Sequence, residues 1–272
     1  MWTRPSYVFF CCALAACRPE ARQPEPTPSS VPTHSSANAG PAKPAEPLPV
    51  LLASAENAVA SLPSPEPLAN APRRARRVVV MGDSLSDPRV HGGRYLEPLA
   101  ACPSVVIDNY AKGGFMVNQM RRRFESEVLP TLSKEHTDLI VFGGVNDLYS
   151  DETAGRTVEK ISADLLRMYD AAKARGMRVT AITVAPWGGF TRYYNERRGR
   201  ATARLNGWIQ QQLVAKHVDV VIDAATLLAC GDPERLCPAY EPPFHDGLHF
   251  GRVGHEKLGE QLLHDAFPSC RP

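Results

Sequence analysis

The chain has 272 residues, 31 Lys and Arg against 29 Asp and Glu, and 43% apolar residues. That length can bury a sizeable core in one large domain or two small ones, and a net charge of +2 gives no electrostatic case for a nucleic-acid binder. A mean hydropathy of −0.25, with no apolar run of 18 residues, excludes a polytopic membrane protein. The 25 prolines are unevenly spread: 13 of them fall in the 55 positions of residues 18–72. One end of the chain therefore has the composition of a linker and the other that of a packed domain.

Residues 1–16 read as a signal peptide. Arg4 supplies a positive charge, and Val8 to Ala16 is an apolar stretch too short for a stable span. It ends in Leu14-Ala15-Ala16-Cys17, which resembles the lipobox of bacterial lipoproteins. The resemblance implies that Cys17 is lipidated and becomes the mature first residue. Arg18 follows it, not the Asp that tends to hold such proteins at an inner membrane. The expectation is an exported protein, lipid-anchored to the bacterial cell envelope at the outer membrane, facing the periplasm or the surface. The plainer alternative is a secretory signal cut after Ala16. Residues 17–72 then form a disordered tether, rich in Pro, Ala, Ser and Glu and too poor in apolar area to offset chain entropy. Within it, Leu51 to Leu62 has the composition of a short Ala-rich helix.

The pattern changes at residue 73, and 73–272 reads as the folded domain. Apolar runs at Val78–Met81, Val105–Ile107, Leu139–Phe142, Val179–Val184 and Val218–Ile222 predict five buried strands. Helices are predicted over Asn118–Leu132, Thr157–Arg175, Asn195–Val214 and Val253–Phe267. Strands alternating with helices imply an α/β fold with a parallel sheet covered on both faces. Chemistry in such folds collects just after the strands, at their carboxyl ends.

Four cysteines remain in that domain, and an oxidising compartment favours two disulfides over free thiols. Cys230 and Cys237 bracket a loop-like Cys-Gly-Asp-Pro-Glu-Arg-Leu-Cys stretch and are paired here, which leaves Cys102 with Cys270. A zinc site is the rival, but no C-x-x-C spacing is present.

After the first strand comes Gly82-Asp83-Ser84-Leu85-Ser86-Asp87, with Ser84 placed where a strand is expected to turn into a helix. It is neither a phosphate loop nor a G-x-S-x-G elbow. The second strand leads into Asn109-Tyr110-Ala111-Lys112-Gly113-Gly114, and the third into Gly143-Gly144-Val145-Asn146-Asp147. Asp246-Gly247-Leu248-His249 precedes the last helix, and an Asp three residues before a His can orient its imidazole.

Together these four segments resemble the SGNH hydrolases, also called the GDSL esterase and lipase family, in order and spacing over residues 77–267. The resemblance implies a flavodoxin-like three-layer α/β/α sandwich with a five-stranded parallel sheet. It also implies that Ser84 is the nucleophile, His249 the general base and Asp246 its orienting partner. The oxyanion hole would combine the N–H groups of Ser84 and Gly114 with the Asn146 side chain. Gly114 is preferred to Gly113 because it lies five residues after Asn109, the family's spacing. Asp147 is the other acid beside a motif, and Asp147→Asn is expected to lower turnover much less than Asp246→Asn.

No cofactor is implied. His245, His249 and His255 could form a metal cluster, but H-E-x-x-H is absent, and His245 and His255 are read as surface or supporting groups. Trp187, Phe190 and Tyr193 follow the fourth strand and are candidate substrate-binding residues at the rim of the site. The basic groups Arg121–Arg123 and Arg197, Arg198, Arg200 and Arg204 are read as wet helix faces that could also attract anionic glycans. The resulting expectation is a monomeric serine esterase acting on short-chain acyl esters of a carbohydrate or small alcohol. The alternatives are an O-acyltransferase using the same residues, a lysophospholipase or lipase-type esterase, and a surface-anchored binding protein on an inactive hydrolase scaffold.

Overall fold

The computed structural model describes residues 76–271. The signal, lipidation and tether assignments and the Ala-rich helix at 51–62 lie outside them. The described elements are β1 (Arg76–Gly82), α1 (Glu97–Ala100), β2 (Val105–Asn109), α2 (Val117–Arg123), β3 (His136–Phe142), α3 (Val145–Tyr149), α4 (Val158–Ala174), β4 (Arg178–Ile182), α5 (Glu196–Val214), β5 (Val220–Ile222), α6 (Ala224–Leu227), β6 (Ala229–Cys230), β7 (Asp232–Leu236) and α7 (Arg252–Asp265).

β1 to β5 form one parallel sheet in the order β2-β1-β3-β4-β5. Side chains alternate across a strand, so β1 divides its apolar run between two layers. Val79 and Met81 pack with Val117 and Phe124 from the α2 segment, Leu165 and Met168 of α4, and Leu205 and Ile209 of α5. Val78 and Val80 pack with Leu99 of α1 and Leu258 and Leu262 of α7. Both sheet faces are therefore covered, and the three-layer α/β/α sandwich is the observed fold.

The helix limits follow local chemistry. Thr157 caps α4 by accepting from the Lys160 N–H, and Asn195 caps α5 by accepting from Arg198. The predicted helix 118–132 is instead an α-helix that widens to a π turn at Phe124–Val128 and tightens to a 3₁₀ turn at Leu129–Thr131. Pro130 has no N–H to continue it. β4 stops at Ile182, two residues short of the prediction. The Val184 N–H and C=O are taken by the Asn206 side chain of α5, at 2.8 and 2.9 Å.

The two disulfides pair as expected. Cys102–Cys270 joins the end of α1 to the chain's last turn, and Cys230–Cys237 closes the β6/β7 segment, with Cα atoms 5.3 and 4.9 Å apart. That segment is a small antiparallel hairpin, not the loop the sequence suggested.

Candidate active site

Ser84 sits in the turn that follows β1. Asp83 builds this turn: its carbonyl accepts from the Ser86 N–H, and its Oδ1 accepts from the Leu85 N–H at 3.0 Å. No helix starts at Ser84, contrary to the sequence reading. The chain runs through short 3₁₀ turns at Pro88–Val90 and Arg94–Leu96 before α1. Pro88 and the Asp87 cap start the first of these instead.

Asp246 and His249 lie on the loop before α7. The Asp246 Oδ1 accepts from the N–H groups of Leu248 and His249 at 2.9 and 2.8 Å, which closes the turn and leaves Oδ2 facing the imidazole. His249 Nδ1 is 2.7 Å from that Oδ2, and His249 Nε2 is 2.9 Å from Ser84 Oγ. Partial burial works against the Asp246 charge. Hydrogen bonds from the His249 ring and from the two backbone N–H groups outweigh it and hold the carboxyl below its ordinary range.

This loop is seated by two glycines. A Cβ on Gly247 would lie 2.0 Å from the carbonyl carbon of Gly189, so the two backbones pack with no room for side chains. Gly188 in turn donates to the Glu234 carbonyl of β7 at 2.7 Å. The loop after β4 thus forms the floor under the Asp246–His249 turn.

The remaining motifs converge from β2 and β3. Asn109 holds the turn after β2: its side chain donates to the Ser86 carbonyl and accepts from the Ala111 N–H. Gly113 donates its N–H to Asp87 Oδ2 at 2.9 Å. Neither the Ser84 N–H nor the Gly114 N–H has an acceptor among the described residues. Asn146, on α3, donates one amide hydrogen to the Phe115 carbonyl at 2.9 Å, which leaves the other for a ligand. Gly113 is therefore occupied where Gly114 is free, a distinction the sequence supported only by family spacing.

A cavity of about 440 Å³ lies over these groups, lined by Ser84, Val90, Gly113, Gly114, Asn146, Tyr149, Phe190, Phe244, Leu248 and His249. Of the three aromatics proposed for substrate contact, only Phe190 lines it. Trp187 is buried, edge-on to Tyr194, with its Nε1 donating to Thr202 at 2.9 Å. It fills the core because the strand's apolar continuation turns inward there. Tyr193 packs beside Phe190 and Tyr149 behind the lining. Tyr149 and Phe244 are walls that the sequence reading missed. Tyr149 is the last residue of α3, one turn after Asn146, and that helical spacing is the signal that could have found it.

The basic clusters are mostly neutralised. Arg197 and Arg198 pair with Asp151, Arg200 with Glu196, Arg204 with Glu159, and Arg121 with Asp164 and Glu125. This leaves little charge on those faces for an anionic glycan. His255 is not a surface group: it is buried between the rings of Tyr95 and Phe250. His245 is exposed. No group of three or more His, Cys, Asp or Glu suited to a metal occurs among the described residues.

The sequence model of the GDSL-like Lipase/Acylhydrolase family matches residues 80–257. No curated protein matches the chain. Among solved structures, a GDSL-like lipase from Bacteroides thetaiotaomicron superimposes with a TM-score of 0.59 at 19% identity, over 72% of this chain and 89% of that one. A lipase/acylhydrolase from Enterococcus faecalis gives 0.53 at 25% identity, over 70% and 94%. An acetylxylan esterase from Geobacillus stearothermophilus gives 0.55 at 15% identity, over 71% and 94%.

Proposed function

The chain belongs to the GDSL-like lipase/acylhydrolase family and hydrolyses ester bonds, and from that premise we propose a serine esterase that works by two-step acyl transfer at Ser84. The observation that carries the reading is the continuous relay from Ser84 Oγ through both ring nitrogens of His249 to Asp246, at 2.9 and 2.7 Å. In the first step His249 Nε2 takes the Ser84 proton as Oγ attacks the ester carbonyl. The Ser84 and Gly114 N–H groups and the second Asn146 amide hydrogen receive the oxyanion. His249 returns its proton to the departing alcohol, and water then repeats the sequence on the acyl-enzyme. Asp246 keeps the imidazole in the tautomer that leaves Nε2 free to accept, and stabilises the imidazolium.

The cleft walls, Val90, Tyr149, Phe190, Phe244 and Leu248, are largely apolar and open to solvent. They suit the acyl part of an ester, and the preference for short acyl groups rests on similar structures. Two similar structures are acetylxylan esterases, which makes acetylated xylan the first polysaccharide to test. The test is a series of nitrophenyl esters from acetate to palmitate, run beside that polysaccharide, with fluorophosphonate labelling. Turnover should peak at the short esters, and the label should sit on Ser84 and be lost with all turnover in Ser84→Ala. Label on another serine overturns the assignment.

The cellular setting proposed for this chemistry is an envelope surface reached through a lipid on Cys17. Alkyne-palmitate labelling in a bacterial host should tag the protein, and Cys17→Ala should remove the tag. An untagged mature protein starting at another residue refutes it.

A further inference from the structure

A second cavity, of about 270 Å³, shares Phe244 with the Ser84 cleft. The Phe244 ring lies 5.9 Å from that of His249 and 6.4 Å from that of His91, so one aromatic touches both sites. The polar side chains lining this second cavity are His91, Arg94, Arg252 and His255, with no carboxylate among them. The exposed Arg94 guanidinium makes no hydrogen bond or ion pair with any described residue, its backbone carbonyl alone accepting from the Glu97 N–H. Arg252 uses its Nε on Glu256 at 2.6 Å, and Glu97 also acts on it, but the rest of its guanidinium is uncommitted. Gly251 and Arg252 also line it, at the cap and first residue of the 14-residue helix α7, where the backbone carries partial positive charge.

His255 supplies an independent observation. It is 1% exposed, its Nδ1 is buried with no hydrogen-bond partner among the described residues, and its ring is part of the cavity lining. A buried polar group left unpaired is costly, and such groups in native proteins ordinarily have a partner. Burial, with the nearby Arg94 charge, holds this imidazole neutral down to a pKa of about 4. The neutral ring carries one N–H and no charge. An unpaired Arg, a second half-committed Arg, a helix N-terminus and an unsatisfied buried imidazole all suit an oxyanion as ligand.

We propose that this cavity is an anion subsite, which takes a carboxylate or phosphate carried by the ester substrate while the ester carbonyl sits over Ser84. The proposal rests on the esterase reading and narrows it: the preferred ester is an anion, and Phe244 divides its reacting end from its charged end. The sequence placed the available basic charge on α2 and α5; the structure neutralises most of it there and leaves Arg94 free here.

The test compares three esters on the full chain. 4-Nitrophenyl acetate is neutral, 4-nitrophenyl hemisuccinate carries its charge on the acyl side, and monoacetyl glycerol 3-phosphate carries it on the alcohol side; glycerol monoacetate is the neutral control for the last. At least one anionic ester should exceed its neutral counterpart in kcat/KM by roughly tenfold, the size expected of a charge-assisted contact, and which one does so reports the side. In Arg94→Gln/Arg252→Gln that ratio should collapse towards one. The ratio is the readout, so a general loss of activity cancels. In parallel, inorganic phosphate is titrated against the wild type while the His255 imidazole resonances are followed by NMR, with chloride at matched ionic strength as control. Phosphate should move them in the wild type and not in the double variant. Absence of any anionic preference, a preference that survives the double substitution, or His255 resonances indifferent to phosphate each overturns the subsite. If none of the esters is hydrolysed, the esterase reading fails, and the phosphate titration still decides the subsite on its own.

Discussion

Asp246 and Asp147 stand beside two of the site's motifs and have opposite surroundings. Asp246 is about one-third exposed, accepts from two backbone N–H groups and one imidazole, and is held below its ordinary carboxylate range. Asp147 is fully buried. It accepts from the Val117 N–H at 2.8 Å and the Arg156 Nε at 2.6 Å, and burial pushes its carboxyl up against both. Arg156 continues to Asp164, and Asp164 to Arg121, so Asp147 begins a line of alternating charges that ties α3 to α4 and α2. In the proposed relay Asp246 would support a transient imidazolium, and it sits where it stays charged without a fixed cation. A carboxylate that fixes a loop is paired with a permanent one.

The difference is sharpest in substitution. Asp246→Asn removes the orienting charge while leaving a side chain of the same shape. Turnover should fall by roughly 10²- to 10⁴-fold with KM little changed, the range for a positioned acid–base pair. Its thermal midpoint should barely move, because a partly exposed carboxylate on a loop holds little else in place. Near-wild-type turnover in this variant would sink the relay as the catalytic device.

Asp147→Asn should show the reverse profile. It leaves Arg156, only 7% exposed at its side chain, facing a neutral amide in place of its nearest counter-charge. Breaking one side of a buried pair costs about 3 kcal/mol, less whatever Asp164 still supplies. Denaturant unfolding should register that loss. Turnover should fall by less than in Asp246→Asn, through displacement of the neighbouring Asn146. Its burial against Arg156, which no local motif signals, is the reason for expecting the larger stability effect here. Unchanged stability would show that Asp164 alone satisfies Arg156.

The two aspartates show what the local sequence could and could not carry. Ser84, Asn146, Asp246 and His249 were legible because each belongs to a short segment just after a strand, or just before a helix, where local backbone geometry fixes its direction. The five strands were legible because their apolar runs are continuous, as burial on both faces requires. The Arg156 pairing was not, because no local pattern says which Arg meets which Asp across the α3–α4 connection. Trp187 was misplaced for a similar reason. A loop after a strand can turn an aromatic outward to the site or inward to the core, and here the Gly189–Gly247 contact and Thr202 decide for the core. Phe244 became a cleft wall through contacts across the fold, its ring beside those of His249 and His91.

The finest test separates Ser84 from the acid beside it. Asp83 is completely buried, and its Oδ2 has no partner among the described residues. Burial raises its carboxyl to about 7, reinforced by the nearby Asp147 charge and opposed by the Leu85 N–H. The folded chain thus holds this proton from the unfolded value, about 3.9, up to about 7, while the unfolded chain has released it. Stability from Asp83 is full below that unfolded value and is lost as pH rises through about 7. His255 runs the other way: folded, it stays neutral down to about 4, so its cost appears as pH falls below the unfolded histidine value of about 6.5. The two windows overlap below that point and are separable above it. Between about pH 6.5 and 8 the Asp83 loss should dominate this pair. Asp83→Asn keeps the carbonyl that accepts from Leu85 and cannot ionise, so its stability should be flatter across that interval than the wild type's. Unfolding midpoints of both proteins, measured at half-unit steps of pH, read this directly. Parallel curves would mean that Asp83 carries its proton no higher in the fold than in the open chain, and that its burial is relieved by a partner at Oδ2.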